Sequence, residues 1–382
     1  MNLLEHSLSN LFFITQTGLT ARLGTNMSAR RNISLLMAAL LVLLCAACTE
    51  LEGPSDEGWT ELGGDSPVKF STSLPTTSTK TTTTLPFGTA FGVFAFSQPG
   101  TPGNTGTWDP NTRTPNLMFN QAVTFNSDGS YTYAPIKFWP NSTYNTITFW
   151  AYCPYNPTDD NIQFVKSGTT DTQYTVSSTG YPDIKYTVNT GTTDLLAAAP
   201  VTDQSKPAND APVNFEFHHA LSKINFKFNK VNDSGDAYTI KVTSISFINV
   251  NLTGIHGSAG WRDWSNPCDN EHPFVAYSGD PIDVTYKSTD TPDFPESPNC
   301  SVMLIPQDVE TSNAILRVNY SVSMGSNPAQ HYEGECLLTG SWLEEKQHTY
   351  KISISPGNPI IFSASITPWD ENVVNGYKYI VN

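Results

Sequence analysis

The sequence predicts an all-β protein: two tandem β-sandwich domains behind an export signal and a flexible tether. Three observations carry this. Short runs alternate apolar and polar residues with period two, as half-buried strands do. Outside the signal, no stretch shows a convincing 3.6-residue period. Thr, Ser, Asn, Gly and Pro abound, aromatics make up 12% of the chain and charged residues only 14%, a balance that suits secreted β-structure.

Arg30 and Arg31 precede an apolar run from Ile33 to Leu44, and Ala46 and Ala47 lead into Cys48. A charged start, an apolar stretch too short to span a bilayer and a small-residue exit describe a secretory signal. Small residues directly before a cysteine resemble a bacterial lipoprotein signal, cleaved between Ala47 and Cys48. Leucine stands at Leu44, one place earlier than that pattern has it, and Cys45 fills the usual leucine position. The resemblance implies lipidation of Cys48 and a tether in the outer membrane; two or more acyl chains anchor stably where one does not. An ordinary secretory signal or a single anchor helix is the alternative. Met27 begins a normal signal, so residues 1–26 read as an over-extended start and 27–47 as the signal peptide.

The 335 residues after position 47 suffice for two domains. One acid (Glu5) and three bases (Arg22, Arg30, Arg31) precede Cys48, leaving 34 acids against 17 bases, net −17. No basic stripe exists, which excludes nucleic acid and anionic lipid headgroups as partners. Beyond Cys45 and Cys48 come Cys153, Cys268, Cys300 and Cys336, without a C-x-x-C pair for zinc or redox chemistry. They can pair in three ways. Cys268 with Cys300, both in Pro/Asn-rich surroundings, is the preferred pair; Cys153 and Cys336 read as strand thiols.

Residues 48–66 form an acidic, glycine-rich tether. Its acids Glu50, Glu52, Asp56 and Glu57 follow Cys48 closely, as in surface-exported Bacteroidetes-type lipoproteins, or else mark a solvated linker. The first domain is placed at 67–205. Residues 68–72 (VKFST) alternate as a first strand, and the Thr-rich segment 74–85 is an exposed loop. Residues 91–96 (FGVFAF) are apolar on both faces, as a central strand is. Strands 123–125 and 131–133 flank Ser127-Asp128-Gly129, a hairpin signal. In 145–155, Ile147, Phe149, Ala151 and Cys153 share one face, Thr148, Trp150 and Tyr152 the other. The polar stretch 201–212 divides the domains, and the second is placed at 206–382. It opens on 214–228, where Ile224, Phe226 and Phe228 alternate with Lys223, Asn225 and Lys227. The strand 240–250 slips parity between Val242 and Ile245, predicting a bulge. Residues 261–298 read mostly as loop. Strands follow at 302–305, 314–322, 350–354, 360–366 and 377–381.

Several segments resemble the fimbrillin family of Bacteroidales, the type V pilus subunits and their fimbria-associated relatives. They are Gly92-Val-Phe-Ala95, Ile136-Lys-Phe-Trp-Pro140, Ile147-Thr-Phe-Trp-Ala-Tyr152, Asp194-Leu-Leu-Ala197, Phe217-His-His-Ala-Leu-Ser-Lys-Ile224, Met303-Leu-Ile-Pro-Gln307, His348-Thr-Tyr-Lys-Ile352 and Ile366-Thr-Pro-Trp369. The resemblance implies transthyretin-like sandwiches and a lipid-anchored fimbrial subunit or adhesin. Its partners would be other fimbrial subunits, the outer membrane through the lipid, and a surface ligand the sequence does not identify. It implies assembly by strand complementation: proteolysis after an arginine in the following loop frees the first strand, and a neighbour's strand fills the groove. Carried over, the displaced strand contains Val68 and Phe70. The cut falls in 74–85, which holds Lys80 but no arginine, so an uncut tip or anchor subunit is the alternative. The donor is the last strand, with Tyr377, Tyr379 and Val381; its other reading is an ordinary edge strand of the second sandwich.

Catalytic signatures are missing: no G-x-S-x-G, H-E-x-x-H, P-loop or G-x-G-x-x-G occurs. His218 and His219 are adjacent and point to opposite faces of a strand, which disfavours a joint metal site. No metal, cofactor or catalysis is expected. Trp261 and Trp264, in a Gly/Asn/Pro-rich stretch, are candidates for an aromatic platform that stacks on sugars. They support the alternative function, a monomeric glycan-binding surface lipoprotein.

Overall fold

The computed structural model describes residues 65–74, 83–101, 104–105, 117–140, 145–155, 161–164, 182–230, 238–284, 301–354, 361–368, 373–374, 377–378 and 380–381. All lie in the unit Asp56–Asn382. Among the described residues the regular structure is all strand.

The chain begins with β1 (Phe70–Ser73), β2 (Thr83–Thr84), β3 (Ala90–Thr101), β4 (Asn104–Thr105), β5 (Met118–Phe125), β6 (Tyr131–Thr132) and β7 (Asn145–Cys153). Then come β8 (Ile162–Phe164), β9 (Ile184–Thr187), β10 (Leu196–Ala198), β11 (Val201–Gln204) and β12 (Val213–His219). Next are β13 (Ser222–Lys230), β14 (Tyr238–Ile248), β15 (Asn251–Gly257), β16 (Gly260–Pro267), β17 (Phe274–Asp283) and β18 (Val302–Leu304). The last are β19 (Ile315–Met324), β20 (Gln330–Leu337), β21 (Lys346–Ile354), β22 (Ile361–Pro368), β23 (Val373–Val374), β24 (Tyr377–Lys378) and β25 (Ile380–Val381).

A nine-stranded sheet runs β1-β12-β10-β7-β3-β5-β6, with β11 beside β7 and β4 beside β3. The doubly apolar 91–96 segment lies at its centre, in β3, paired with β5 and β7. Phe91, Val93 and Ala95 enter one core with Ile147, Phe149 and Ala151. Phe94, Phe96, Trp150 and Tyr152 enter a second core on the opposite face. Period-two geometry makes this division unavoidable once both faces are covered. The predicted hairpin forms: Phe125 pairs with Tyr131, and Gly129 takes φ +82° in the turn.

The second core also takes in residues of the sheets β18-β13-β21-β22 and β17-β14-β19-β20. Phe226 of β13 packs against Phe247 of β14, ring centroids 5.9 Å apart. The bulge predicted in β14 is present: its registers with β17 and β19 both shift between Val242 and Ser244. A further four-stranded sheet, β16-β15-β9-β8, joins strands from both halves of the sequence. Its Phe164 packs on Phe94 and Tyr152 of the large sheet.

Three expectations need correction. The run 214–228 is two strands: β12 stays in the nine-stranded sheet, and after Ala220 and Leu221 the chain enters β13 of another. Hydrogen bonding therefore continues past residue 205. The stretch read as loop after Trp261 holds β16 and β17. Each buries a single side chain, Trp261 and Phe274, so little alternation marks them. Finally, Cys153, Cys268 and Cys336 are free thiols, which removes the Cys268–Cys300 pair. Cys268 is buried, with its Sγ 3.2 Å from the Phe247 carbonyl oxygen.

Candidate functional site

The first strand and its seat are the best-defined candidate. β1 is the end strand of the nine-stranded sheet, and its backbone pairs in parallel with β12: Phe70 opposite Val213, Thr72 opposite Phe215. Alternation sends Val68, Phe70, Thr72 and Leu74 inward, and all four are buried. Phe70 stacks on Phe215 at 5.6 Å and meets Tyr133 at 5.4 Å and Phe149 at 6.1 Å. Outward, Ser71 Oγ donates to Asn214 Oδ1 at 3.1 Å, and Asn214 Nδ2 donates to Ser73 Oγ at 2.9 Å.

The other edge of this segment is closed by the opposite end of the same sheet. Val68 N–H donates to Lys137 O at 2.9 Å, and Trp139 N–H to Ser66 O at 3.0 Å. Beyond that short ladder, tyrosines take over. Tyr133 Oη donates to Val68 O at 2.8 Å. The Thr72 backbone N–H donates to Tyr131 Oη at 3.2 Å, with Thr72 Oγ1 2.8 Å from the same hydroxyl. Burial pushes the Tyr133 phenol up to about 12 and raises that of Tyr131, so both stay neutral and retain their protons for donation.

Val68, Phe70 and Leu74 each contribute about 1.5–3 kcal/mol of burial, roughly 5–9 kcal/mol together. A whole domain is stable by only about 5–15 kcal/mol. Losing this strand would remove burial of the same order as that margin. The C-terminus runs close by in sequence pairing: β25 is antiparallel to β2, with Val381 opposite Thr83 and Ile380 opposite Thr84. Residues 377–381 are thus not one edge strand of the second sandwich. β24 forms a hairpin with β23, and β25 pairs with the segment that follows the first strand.

A second feature is a cleft of about 440 Å³ bounded by His218, His219, His256, Glu344, Glu345 and the chain at 197–200. His219 is buried, its Nδ1 2.8 Å from Asp194 Oδ2, so two of the segments that carry the family resemblance meet here. His218, on the other face of β12, is half-exposed and pairs with Glu345 at 3.0 Å. Burial, reinforced by neighbouring Glu345, raises the Glu344 carboxyl to about 7. Burial, helped by Arg262, lowers His256 to about 4. Among the described residues, no three His, Cys, Asp or Glu side chains are grouped to hold a metal ion.

The tryptophan pair does not form a shared platform. Trp261 lies in β16, buried against Tyr186 and His256, and its Nε1 donates to Ala220 O at 2.6 Å. Trp264 is 44% exposed and donates to Pro306 O at 2.8 Å. The register of β16 with β15 shifts between them, and only Trp261 is enclosed by the core. Trp139 and Trp150 are fully buried. Ala47, Cys48, Lys80 and Tyr379 lie outside the described residues, as do Cys300 and Trp369. Sequence reasoning missed Tyr131 and Tyr133 as partners of the first strand. Their alternation in the hairpin was visible, but nothing local says which edge their hydroxyls reach.

Comparison with known proteins agrees with this architecture. Residues 76–369 match the fimbrillin-like family. Over 197 residues the chain is 32% identical to fimbrium subunit Fim1C of Phocaeicola vulgatus, covering 48% of this chain. That match spans about half of the relative's own length, 49%. The fold resembles the crystal structure of a fimbrial protein from Bacteroides vulgatus, with a TM-score of 0.57 at 20% identity, over 79% of this chain and 99% of that one. With three-quarters of its length inside the family match, the chain belongs to the fimbrillin-like family.

Proposed function

We propose that this protein is a surface fimbrial subunit or fimbria-associated adhesin, held to the outer membrane through a lipid on Cys48 and assembled by strand complementation. Its work is mechanical, without catalysis. The observation that carries the reading is the first strand itself: a sheet-end strand, paired through its backbone to β12, with four inward side chains sealed in the core. Displacing it exposes an apolar groove with an unpaired β12 edge, the template strand addition requires. Lys80, in the segment after β1, is the proposed cleavage point. The two sandwiches divide at Ala220–Leu221 in this reading, where the chain leaves the first sheet. The burial of Trp261 weighs against the monomeric glycan-binding alternative.

Intact mass and N-terminal sequencing of the protein from its native outer membrane test the proposal. An acylated Cys48 start marks an uncut anchor or tip subunit, and a start within 75–85 marks a polymerising one. An unacylated, monomeric protein with its first strand retained would overturn it.

A further inference from the structure

Two end strands of this protein carry nearly the same residues. β1 and its next residue read Phe70-Ser71-Thr72-Ser73-Leu74, and β22 contains Phe362-Ser363-Ala364-Ser365-Ile366. The phenylalanine and both serines coincide in register. Thr72 is matched by another small residue, Ala364, and Leu74 by another aliphatic one, Ile366. The sequence match extends one alternation upstream, Val68 against Ile360.

The two strands differ in what covers them. In β1, Phe70, Thr72 and Leu74 are each 4% exposed. β22 ends its sheet, hydrogen-bonded to β21, with Ala364 opposite Tyr350 and Ile366 opposite His348. Tyr350 and His348 are buried, yet Ala364 is exposed and Ile366 is 55% exposed. The opposing sheet therefore stops short of β22. Ala364 and Ile366 would gain burial by moving into a seat shaped for side chains of their kind.

We propose that residues 362–366 of a second copy of this chain are the strand that refills the seat of β1. This rests on the strand-complementation reading and names its donor. Phe362 takes the place of Phe70 against Phe215, Ala364 that of Thr72, and Ile366 that of Leu74. Ser363 and Ser365 fall where Ser71 and Ser73 bond Asn214. The Tyr131 hydroxyl keeps a backbone N–H partner, now that of Ala364. The last residues fit less well. With Tyr377 in the place of Phe70, Tyr379 falls where the small Thr72 stands beneath Tyr131.

The test uses the full chain with a specific protease site inserted between Pro75 and Thr82. It carries Cys336→Ser to remove a partly exposed thiol, together with Asn214→Cys and Ser363→Cys. After cleavage and oxidation, disulfide-linked ladders are expected on a non-reducing gel, and a synthetic peptide of residues 358–368 should suppress them. The uncleaved chain should give none, because Ser71 covers position 214. A ladder from Asn214→Cys with Ile380→Cys, and none with Ser363→Cys, overturns the donor assignment but leaves complementation standing. Fully cleaved monomers with both pairs overturn the two together. Should the Asn214→Cys chain not fold, labelled 358–368 peptide added to the cleaved chain with its native cysteines reads the same contact. A rise in anisotropy supports the assignment, and no rise overturns it.

Discussion

The Tyr133 hydroxyl donates to the Val68 carbonyl oxygen at 2.8 Å, and so binds the hairpin at one end of the nine-stranded sheet to the strand segment at its other end. With the Tyr131–Thr72 contact, it closes the sheet around the first core. Where a further strand would offer backbone groups, two phenols do so instead.

Tyr133→Phe leaves the ring in place and removes one donor. A buried hydrogen bond contributes about 1 kcal/mol, so unfolding stability should fall by about that much. Hydrogen exchange at residues 66–74 should accelerate while the second sandwich is unchanged. Uniform acceleration across the chain would contradict a local clamp.

Phe70→Ala empties the centre of the seat. The expected loss is about 3–5 kcal/mol in denaturant titration, since a buried aromatic leaves a cavity its neighbours fill only in part. Phe70→Leu should cost less than half of that. Equal, small effects of both would show that the strand contributes little to stability.

Glu344 sets a pH dependence. Its carboxyl is raised from 4.5 to about 7, so the folded state holds the proton more tightly than the unfolded chain. The associated stability is full below about pH 4.5 and is lost as pH rises to about 7. Glu344→Gln should therefore gain on the wild type between pH 5 and pH 8. The gain should be about 1 kcal/mol, discounted because the side chain is 37% exposed. His256 and His348, both lowered to about 4 by burial, act with the opposite sign. Their stability is full above pH 6.5 and is lost as pH falls toward 4. Thermal melts of wild type and variant across this range would show an unchanging difference if Glu344 were simply solvated.

The two tryptophans of β16 should separate cleanly. Trp261→Ala removes a buried ring and its bond to Ala220, with an expected loss of about 3–5 kcal/mol. Trp264→Ala should cost about 1 kcal/mol or less. Comparable losses would contradict the burial of Trp261 and the exposure of Trp264.

The central strands were legible because both their faces are covered. Residues 91–96 and 145–153 show apolar residues at odd and even places, and each set found its own core. The β14 bulge was legible for the same reason, since a slipped parity has to be absorbed somewhere. β16, β17 and β20 were not, because strands facing water on most positions carry no alternation to read. The change of sheet at Ala220 was hidden because β12 and β13 share one period and differ only in the sheet that accepts them.

By itself the sequence determined the all-β class, the hairpin at Ser127-Asp128-Gly129 and the faces of the central strands. These follow from local torsional preference and side-chain period, which need no distant partner. Tertiary structure decided the rest: that β1 lies parallel to β12 more than 140 residues away, that Tyr131 and Tyr133 close its other edge, and that Trp261 is buried while Trp264 is not. Backbone donors and acceptors are the same in every strand, so pairing is chosen by which buried surfaces fit, and that is a property of the assembled core.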